Sequence, residues 1–179
     1  METMCSIAFF GFLRCGEFTC SSSFDVDANI CVEDITFDGM CILRLKVSKT
    51  DPFRQGVHIS LFATKNLVCP FRSLTQLVWI RRRSGARNTG PLFVDSSFTA
   101  ITRNTFLRWL SIILCRAGFS SSGYSGHSFR IGAATTAAQA RLEDHLIKTL
   151  GRWSSDCFTR YIRTPEATLR QAQISLFTV

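Results

Sequence analysis

The spacing of apolar residues changes once along this 179-residue chain, near Cys69, and that change limits the folds open to it. Before Cys69, three short apolar or alternating runs, ICVEDITFD, MCILRLKVSK and GVHISLFA, are separated by Gly39 and by TDPFRQG. Such runs with turn residues between them are typical of a three-stranded antiparallel meander. After Cys69 the apolar spacing is helical. We therefore predict an α+β fold, mostly helical, with a small three-stranded antiparallel sheet.

The helical part is predicted to contain six segments, and an apolar run over residues 5–13 forms a further helix or buried segment. The six are CPFRSLTQLVWIRRR, TRNTFLRWLSIILCRAGF, HSFRIGAATTAAQARL, EDHLIKTLG, SSDCFTRYI and PEATLRQAQISLF. Local signals place several helix ends. Gly151 is predicted to cap one helix, Ser154 or Ser155 to begin the next, and Pro165 to be the first residue of the last.

Composition narrows the choice of partner. Hydrophobic residues make up 46% of the chain, so a core of useful size is expected. Lys and Arg number 21 against 13 Asp and Glu, a net charge of +8, which favours a polyanion such as nucleic acid over an uncharged ligand. A basic enzyme with no polyanion partner is the alternative.

The eight cysteines are scattered among apolar residues, without a C-x-x-C pair. This spacing disfavours a disulfide framework and a zinc site, so most are predicted to be buried as small hydrophobic side chains. No apolar run reaches the length of a membrane span, and the N-terminal run lacks the basic region of a signal peptide. We therefore expect no membrane partner.

Two short motifs carry candidate chemistry. His127 and Arg130 are three residues apart at a predicted helix start, where a phosphate would meet an imidazole, a guanidinium and free amide groups. The alternative is a capping-region histidine beside a surface arginine. Tyr161 lies between Arg160 and Arg163, so its phenol is in an electropositive stretch that would favour its use as a nucleophile. The alternative is a core aromatic on a short helix.

Other basic residues are candidates for function, but their sequence patterns are less specific. Lys49 is predicted at the end of a strand beside TDPFRQG, where it is either functional or a solvated turn lysine. Arg14 is three residues before Glu17, the spacing of an ion pair on a helix surface. A run of four arginines is predicted to be a solvated helix end, a track for DNA phosphates or a nuclear address. These are Arg81, Arg82, Arg83 and Arg87.

The order of these pieces is more specific than any one of them. FLRCGEF, LKVSKTD, GHSFRIGAATTAA and LGRWSSDCFTRYI follow one another with three predicted strands and then helices between them. Over residues from about 10 to 165 the chain resembles the tyrosine recombinase family. The likeness is to the catalytic domain of phage integrases and to the recombinases of Crypton- and DIRS-like mobile elements.

The resemblance implies a role for each residue. Tyr161 would attack the scissile phosphorus and form a covalent 3′-phosphotyrosine. Arg14 and Arg130 would clamp the non-bridging oxygens and stabilise the pentavalent transition state. Lys49 would protonate the leaving 5′ oxygen, and His127 would accept the tyrosine proton or bind the phosphate. Cationic side chains take the place of a metal ion in this chemistry, so no metal and no other cofactor is implied.

Two positions depart from the family pattern. Many members have a second histidine nine residues before the tyrosine, where this chain has Arg152, followed by Trp153. Either side chain could hydrogen-bond the phosphate. The family also has a helical DNA-clamping domain ahead of the catalytic one, yet Arg14 is the fourteenth residue here. We therefore expect residues 1–179 to form a single catalytic domain that lacks the N-terminal core-binding domain.

The resemblance also implies partners. They are double-stranded DNA and a second copy of the chain, docked through the C-terminal helix by Leu169, Ile174 and Leu176; packing of that helix on its own domain is the alternative. The expected location is the nucleus if the source is eukaryotic and the cytoplasm otherwise. Three other functions stay open. They are a catalytically silent DNA-binding relic of a mobile element, a basic scaffold for RNA or protein, and a type IB topoisomerase, which is usually far larger.

Overall fold

Seven α-helices and three β-strands form the part of the chain described by the computed structural model, namely residues 1–48, 51, 53 and 55–176. The helices are α1 (Glu2–Phe10), α2 (Cys15–Phe18), α3 (Pro70–Arg83), α4 (Arg103–Arg116), α5 (Ser128–Gln139), α6 (Asp144–Gly151) and α7 (Glu166–Ser175). The strands are β1 (Ile35–Asp38), β2 (Met40–Leu45) and β3 (Val57–Leu61). Short 3-10 helices occupy Val32–Asp34, Ser121–Gly123 and Asp156–Tyr161.

The predicted meander is confirmed. The strands pair antiparallel in the order β1-β2-β3, and Asp38 lies opposite Met40 across the tight turn between the first two strands. Gly39 occupies that turn with a φ of +64°, a left-handed conformation that favours glycine. Alternate residues of β2 are buried, so one face of the sheet packs on the helices and the other faces solvent.

Two apolar clusters hold the helices together. The larger one joins the sheet to α1, α3 and α4 through side chains such as Ile7, Leu43, Leu74 and Phe106. The smaller one packs α5 and α6 against Trp153 and the C-terminal 3-10 helix. Its buried members are Phe12, Ala133, Ala134, Ala137, Ile147, Trp153 and Phe158. Because alanines form the contact face of α5, the neighbouring segments approach its backbone closely.

Cysteine burial follows the prediction. All eight cysteines are free, and five of them are buried; Cys115 and Cys157 are exposed. Separately, no helix within the described ranges is both long enough and apolar enough to cross a bilayer.

The predicted cap at Ser155 is confirmed, whereas the predictions for Gly151 and Pro165 need correction. Gly151 is the last residue of α6, and Arg152, with a φ of +56°, supplies the left-handed conformation that ends the helix. The segment SSDCFTRYI forms a 3-10 helix capped by Ser155, because burial of Phe158 against Trp153 holds it in a tight turn. Pro165 is the cap that precedes α7 and not its first residue.

Helix α7 stands apart from the rest. None of its residues is buried, and Leu169 and Ile174 are each about half exposed. Packing on its own domain therefore does not bury its apolar side chains.

The ring of Trp153 lies where a side chain at Gly151 would begin, since an added Cβ would overlap three of its ring carbons. We expect Gly151→Ala to lower the free energy of unfolding by about 3 kcal/mol, because the ring cannot move without leaving the smaller cluster. Gly132→Ala, in α5, is the control. Its Cβ would meet only Phe9 at an ordinary 3.7 Å, so it should be neutral or stabilising by up to about 1 kcal/mol. Urea unfolding of both variants checks this, and equal stabilities would contradict it.

Candidate active site

A single carboxylate, Glu17, organises the candidate site. One of its oxygens accepts from the Arg14 amide at 2.8 Å and from Arg152 Nη2 at 2.8 Å. The other accepts from Arg14 Nη1 at 3.1 Å and from Ser48 Oγ at 3.2 Å. The side chain is only 6% exposed. The predicted Arg14–Glu17 pair is therefore present, but it is buried and shared with a second arginine instead of lying on a helix surface.

Arg152 turns inward from the left-handed residue that ends α6. Its Nη1 donates to the Gly11 carbonyl at 2.9 Å and its Nη2 to Glu17. Burial lowers the pKa of Arg152, and the neighbouring Glu17 opposes that effect. Since both terminal nitrogens bind protein groups, Arg152 links the end of α1 to Glu17 and so holds Arg14 in position.

Arg130 lies deeper still, with no exposed surface. Its two terminal nitrogens donate to the carbonyls of Phe12 and Gly151, and its guanidinium carbon is 4.1 Å from the centre of the Trp153 ring. Burial, and then the charges of Arg14 and Arg152, lower the pKa of Arg130 to about 10, so it stays charged at neutral pH. Arg130 therefore joins the ends of α1 and α6 beneath the other two arginines.

A pocket of about 300 Å³ opens above this layer. Its lining includes Arg14, Glu17, Arg103, Gly126 and His127. His127 caps α5 from its N-terminal side and is exposed, whereas Arg130, three residues later, faces the interior. The sequence predicts that His127 and Arg130 hold one phosphate between them. In the structure His127 lines the pocket, whereas Arg130 is fully buried and does not.

The Tyr161 side chain packs against Trp153 and Arg130. Its ring centre is 5.1 Å from that of Trp153 and 5.6 Å from the Arg130 guanidinium carbon. The residue is half-buried at the end of the C-terminal 3-10 helix and does not line the pocket. The sequence left open whether Arg152 or Trp153 faces the site. Neither side chain lines the pocket: Arg152 donates to Glu17, and the Trp153 ring contacts both Arg130 and Tyr161.

Lys49 lies outside the described residues. The two residues before it in the sequence do belong to the site, since Val47 lines the pocket and Ser48 donates to Glu17.

The four arginines at and just after the end of α3 differ in their exposure to solvent. Arg81 is buried, and its Nη2 donates to the Pro91 carbonyl at 3.0 Å. The expectation of a wholly solvated run is therefore wrong for Arg81, because one face of α3 packs on the segment before α4. Arg82, Arg83 and Arg87 are exposed, and Arg83 stacks 4.8 Å from the ring centre of Trp79.

Sequence reasoning missed two members of the site. Arg103, the first residue of α4, lines the pocket, and Glu17 was given only a local role. The sequence around Arg103 contains no motif that indicates a functional arginine. Only the structure identifies it, by placing its side chain in the wall of the pocket. Within the described ranges, no group of three or more His, Cys, Asp or Glu side chains is arranged to hold a metal ion.

Comparisons with known proteins identify the fold. No protein-family model matches the sequence, and no curated protein does. XerH site-specific recombinase bound to palindromic difH substrate, in a post-cleavage complex, matches with a TM-score of 0.69 and 20% identity over 96% of this chain and 44% of that chain. XerA recombinase matches with a TM-score of 0.71 and 17% identity over 97% of this chain and 56% of that chain.

A third match is the Tn1549 transposon integrase in complex with transposon right end DNA. It has a TM-score of 0.55 and 13% identity over 99% of this chain and 58% of that chain. The predicted fold class is thus confirmed as the fold of tyrosine recombinase catalytic domains. The chain spans about half the length of these solved structures.

Removing the charge of Glu17 should unbalance the site. We expect Glu17→Gln to lower the free energy of unfolding by about 3 kcal/mol, because Arg14 and Arg152 would stay close together without a compensating carboxylate. Glu33→Gln removes the same charge from an exposed position and should change stability by less than about 0.5 kcal/mol. Urea unfolding measures both variants. If Glu17→Gln matched the control, the carboxylate would not be what holds the two arginines together.

Proposed function

We propose that this chain is a catalytic domain that breaks and rejoins double-stranded DNA through a covalent 3′-phosphotyrosine at Tyr161. One observation carries the proposal. In the sequence, Arg14 lies more than a hundred residues before Arg130 and Arg152. In the structure the three side chains come together around Glu17, beside a pocket that His127 also lines. The fold on which they meet is shared with proteins described as recombinases bound to their DNA.

The charges of the cluster suit a phosphate. Three guanidiniums surround one carboxylate, so the described cluster has an excess of positive charge. A phosphodiester in the pocket would supply the missing negative charge. Donors that are already oriented stabilise a pentavalent transition state better than groups that must reorganise, because its equatorial oxygens gain charge as the bond forms.

The proposed reaction is a transesterification. The Tyr161 oxygen forms a bond to phosphorus while the bond from phosphorus to the 5′ oxygen breaks, and the proton of the phenol passes to His127. Lys49 gives a proton to the departing 5′ oxygen. A 5′ hydroxyl on another strand then attacks the phosphotyrosine and releases Tyr161. One phosphoester replaces another at each step, so no nucleotide triphosphate is consumed.

The position of Tyr161 adds a requirement. Because its ring packs on Trp153 and Arg130 below the pocket, the 3-10 helix Asp156–Tyr161 must shift when DNA binds, to bring the phenol oxygen to the phosphorus. Such a shift would break the Lys148–Asp156 ion pair and the hydrogen bond from Thr135 Oγ1 to the Tyr161 carbonyl.

Two surfaces fit the proposed partners. Arg82, Arg83 and Arg87 form an exposed basic end of α3 that would bind DNA phosphates beyond the pocket. The exposed Leu169, Ile174 and Leu176 of the C-terminal helix region would dock on a second copy assembled on the same DNA. The resemblance to recombinases of Crypton- and DIRS-like mobile elements supports a protein of that type, acting in a nucleus if the source is eukaryotic.

A second candidate function rests on a specific observation. Arg130 has no exposed surface, and Tyr161 does not line the pocket. Both facts favour a DNA-binding domain of the same fold that does not cleave, and the first experiment below separates the two functions.

The covalent step is tested with nicked DNA duplexes whose sequence is randomised around the nick, so that the free end diffuses away after cleavage and the adduct accumulates. We expect an adduct that survives SDS gel electrophoresis and that maps by peptide mass spectrometry to Tyr161. Tyr161→Phe should abolish it. Tyr124→Phe, which changes the other tyrosine of the chain, should leave it intact. Binding of duplex DNA without any adduct would support the second candidate and overturn the first.

Assembly is tested separately. We expect Leu169→Asp to reduce the mass of the complex on DNA, as measured by light scattering, because a charge on the exposed apolar face opposes docking on a neighbour. Thr168→Asp adds the same charge to an exposed position of α7 that is turned about 80° or more away from all three docking side chains, and it should not reduce the mass of the complex. Both positions are exposed, so neither change should lower stability by more than about 0.5 kcal/mol. Equal complexes for both variants would contradict docking through α7.

A further inference from the structure

Two arginines line the pocket, Arg14 and Arg103, and they differ in their ion pairs. Arg103 is exposed, and among the described residues no carboxylate lies within 4 Å of its guanidinium. Arg14, by contrast, is paired with Glu17 at 3.1 Å. A guanidinium without an anionic partner at the wall of a positively charged pocket is open to an anionic ligand.

The backbone of Arg103 is held firmly in place. Its amide donates to the Cys20 carbonyl at 2.8 Å, and the residue before it, Thr102, caps α4 by accepting from the Thr105 amide at 3.2 Å. The first bond ties the start of α4 to the segment that follows α2, the helix of Glu17, and the second fixes the first turn of α4. The guanidinium therefore extends from a fixed base into the pocket.

The guanidinium also lies against the loop that leads to His127. A Cβ on Gly126 would be 3.3 Å from Arg103 Nη2 and 2.9 Å from the Cβ of Cys15. Gly126 thus lets α2, the start of α4 and the start of α5 meet closely. Because of that approach, Arg14, Arg103 and His127 border one volume of about 300 Å³.

Arg130 is placed differently. Both of its terminal nitrogens already donate to main-chain carbonyls, and it has no exposed surface. A phosphate in the pocket would therefore meet Arg14, Arg103 and His127, with Arg130 beneath them.

We propose that Arg103 is a phosphate-binding residue of this site. It would donate, together with Arg14 and His127, to the oxygens of a DNA phosphodiester. This inference rests on the proposed function, since it identifies which side chains of that site touch the DNA phosphate.

The test uses the full chain and dimethyl phosphate as the phosphodiester probe, at fixed pH and ionic strength. The chain has three histidines, His58, His127 and His145, so their imidazole NMR signals report on three separate places. We expect the probe to shift the His127 signal alone. The dissociation constant from that shift should rise about tenfold in Arg103→Gln, because a charge-assisted hydrogen bond is lost.

Two variants control the experiment. Arg108→Gln removes the same charge from an exposed position of α4 that does not line the pocket, and it should leave the constant unchanged. Arg103→Lys should be intermediate, because a lysine keeps the charge but not the forked pair of donors. An Arg103→Gln variant that bound the probe as tightly as the unmodified chain would overturn the proposal, as would equal shifts of all three histidines.

This result is separable from that of the covalent test. If Tyr161 forms the DNA adduct but Arg103→Gln binds the probe normally, the proposal for Arg103 is wrong and the proposed function stands. If no adduct forms but Arg103→Gln weakens binding, the phosphate site stands and the covalent step is wrong.

Discussion

The buried carboxylate of Glu17 is the interaction on which the site depends. Like charges repel strongly where water is excluded, so Arg14 and Arg152 share this space only because one anion lies between them. That anion also accepts from Ser48, which connects the segment after β2 to α2. A single side chain thus brings together three segments that are far apart in the sequence.

Arg130 extends the same arrangement inward. Its donors bind carbonyls at the ends of α1 and α6, and its flat face lies on Trp153, whose ring in turn occupies the space above Gly151. Three consecutive residues therefore have three different tasks. Gly151 leaves room for the ring, the side chain of Arg152 binds Glu17, and Trp153 packs Arg130 against the smaller apolar cluster.

The balance of charge connects this packing to function. Arg14, Arg130 and Arg152 carry three positive charges near the single negative charge of Glu17, so the cluster has a net positive charge. The pocket above the cluster is where an anion has access, and a DNA phosphate has the matching charge and geometry. Under the proposed function, the side chains whose burial holds the helices together would also contribute positive charge beside a bound phosphate.

Local patterns in the sequence were enough to predict the sheet, the helices after Cys69 and the cap at Ser155, because turn residues, apolar spacing and capping act between near neighbours in the chain. They did not determine which way a charged side chain turns. Arg130 and Arg81 face the interior, Arg152 adopts a left-handed conformation towards Glu17, and Arg103 joins the pocket. Only the tertiary structure decided these, because the carbonyls, rings and carboxylates that hold each guanidinium come from distant segments, and their positions follow from packing and not from sequence spacing.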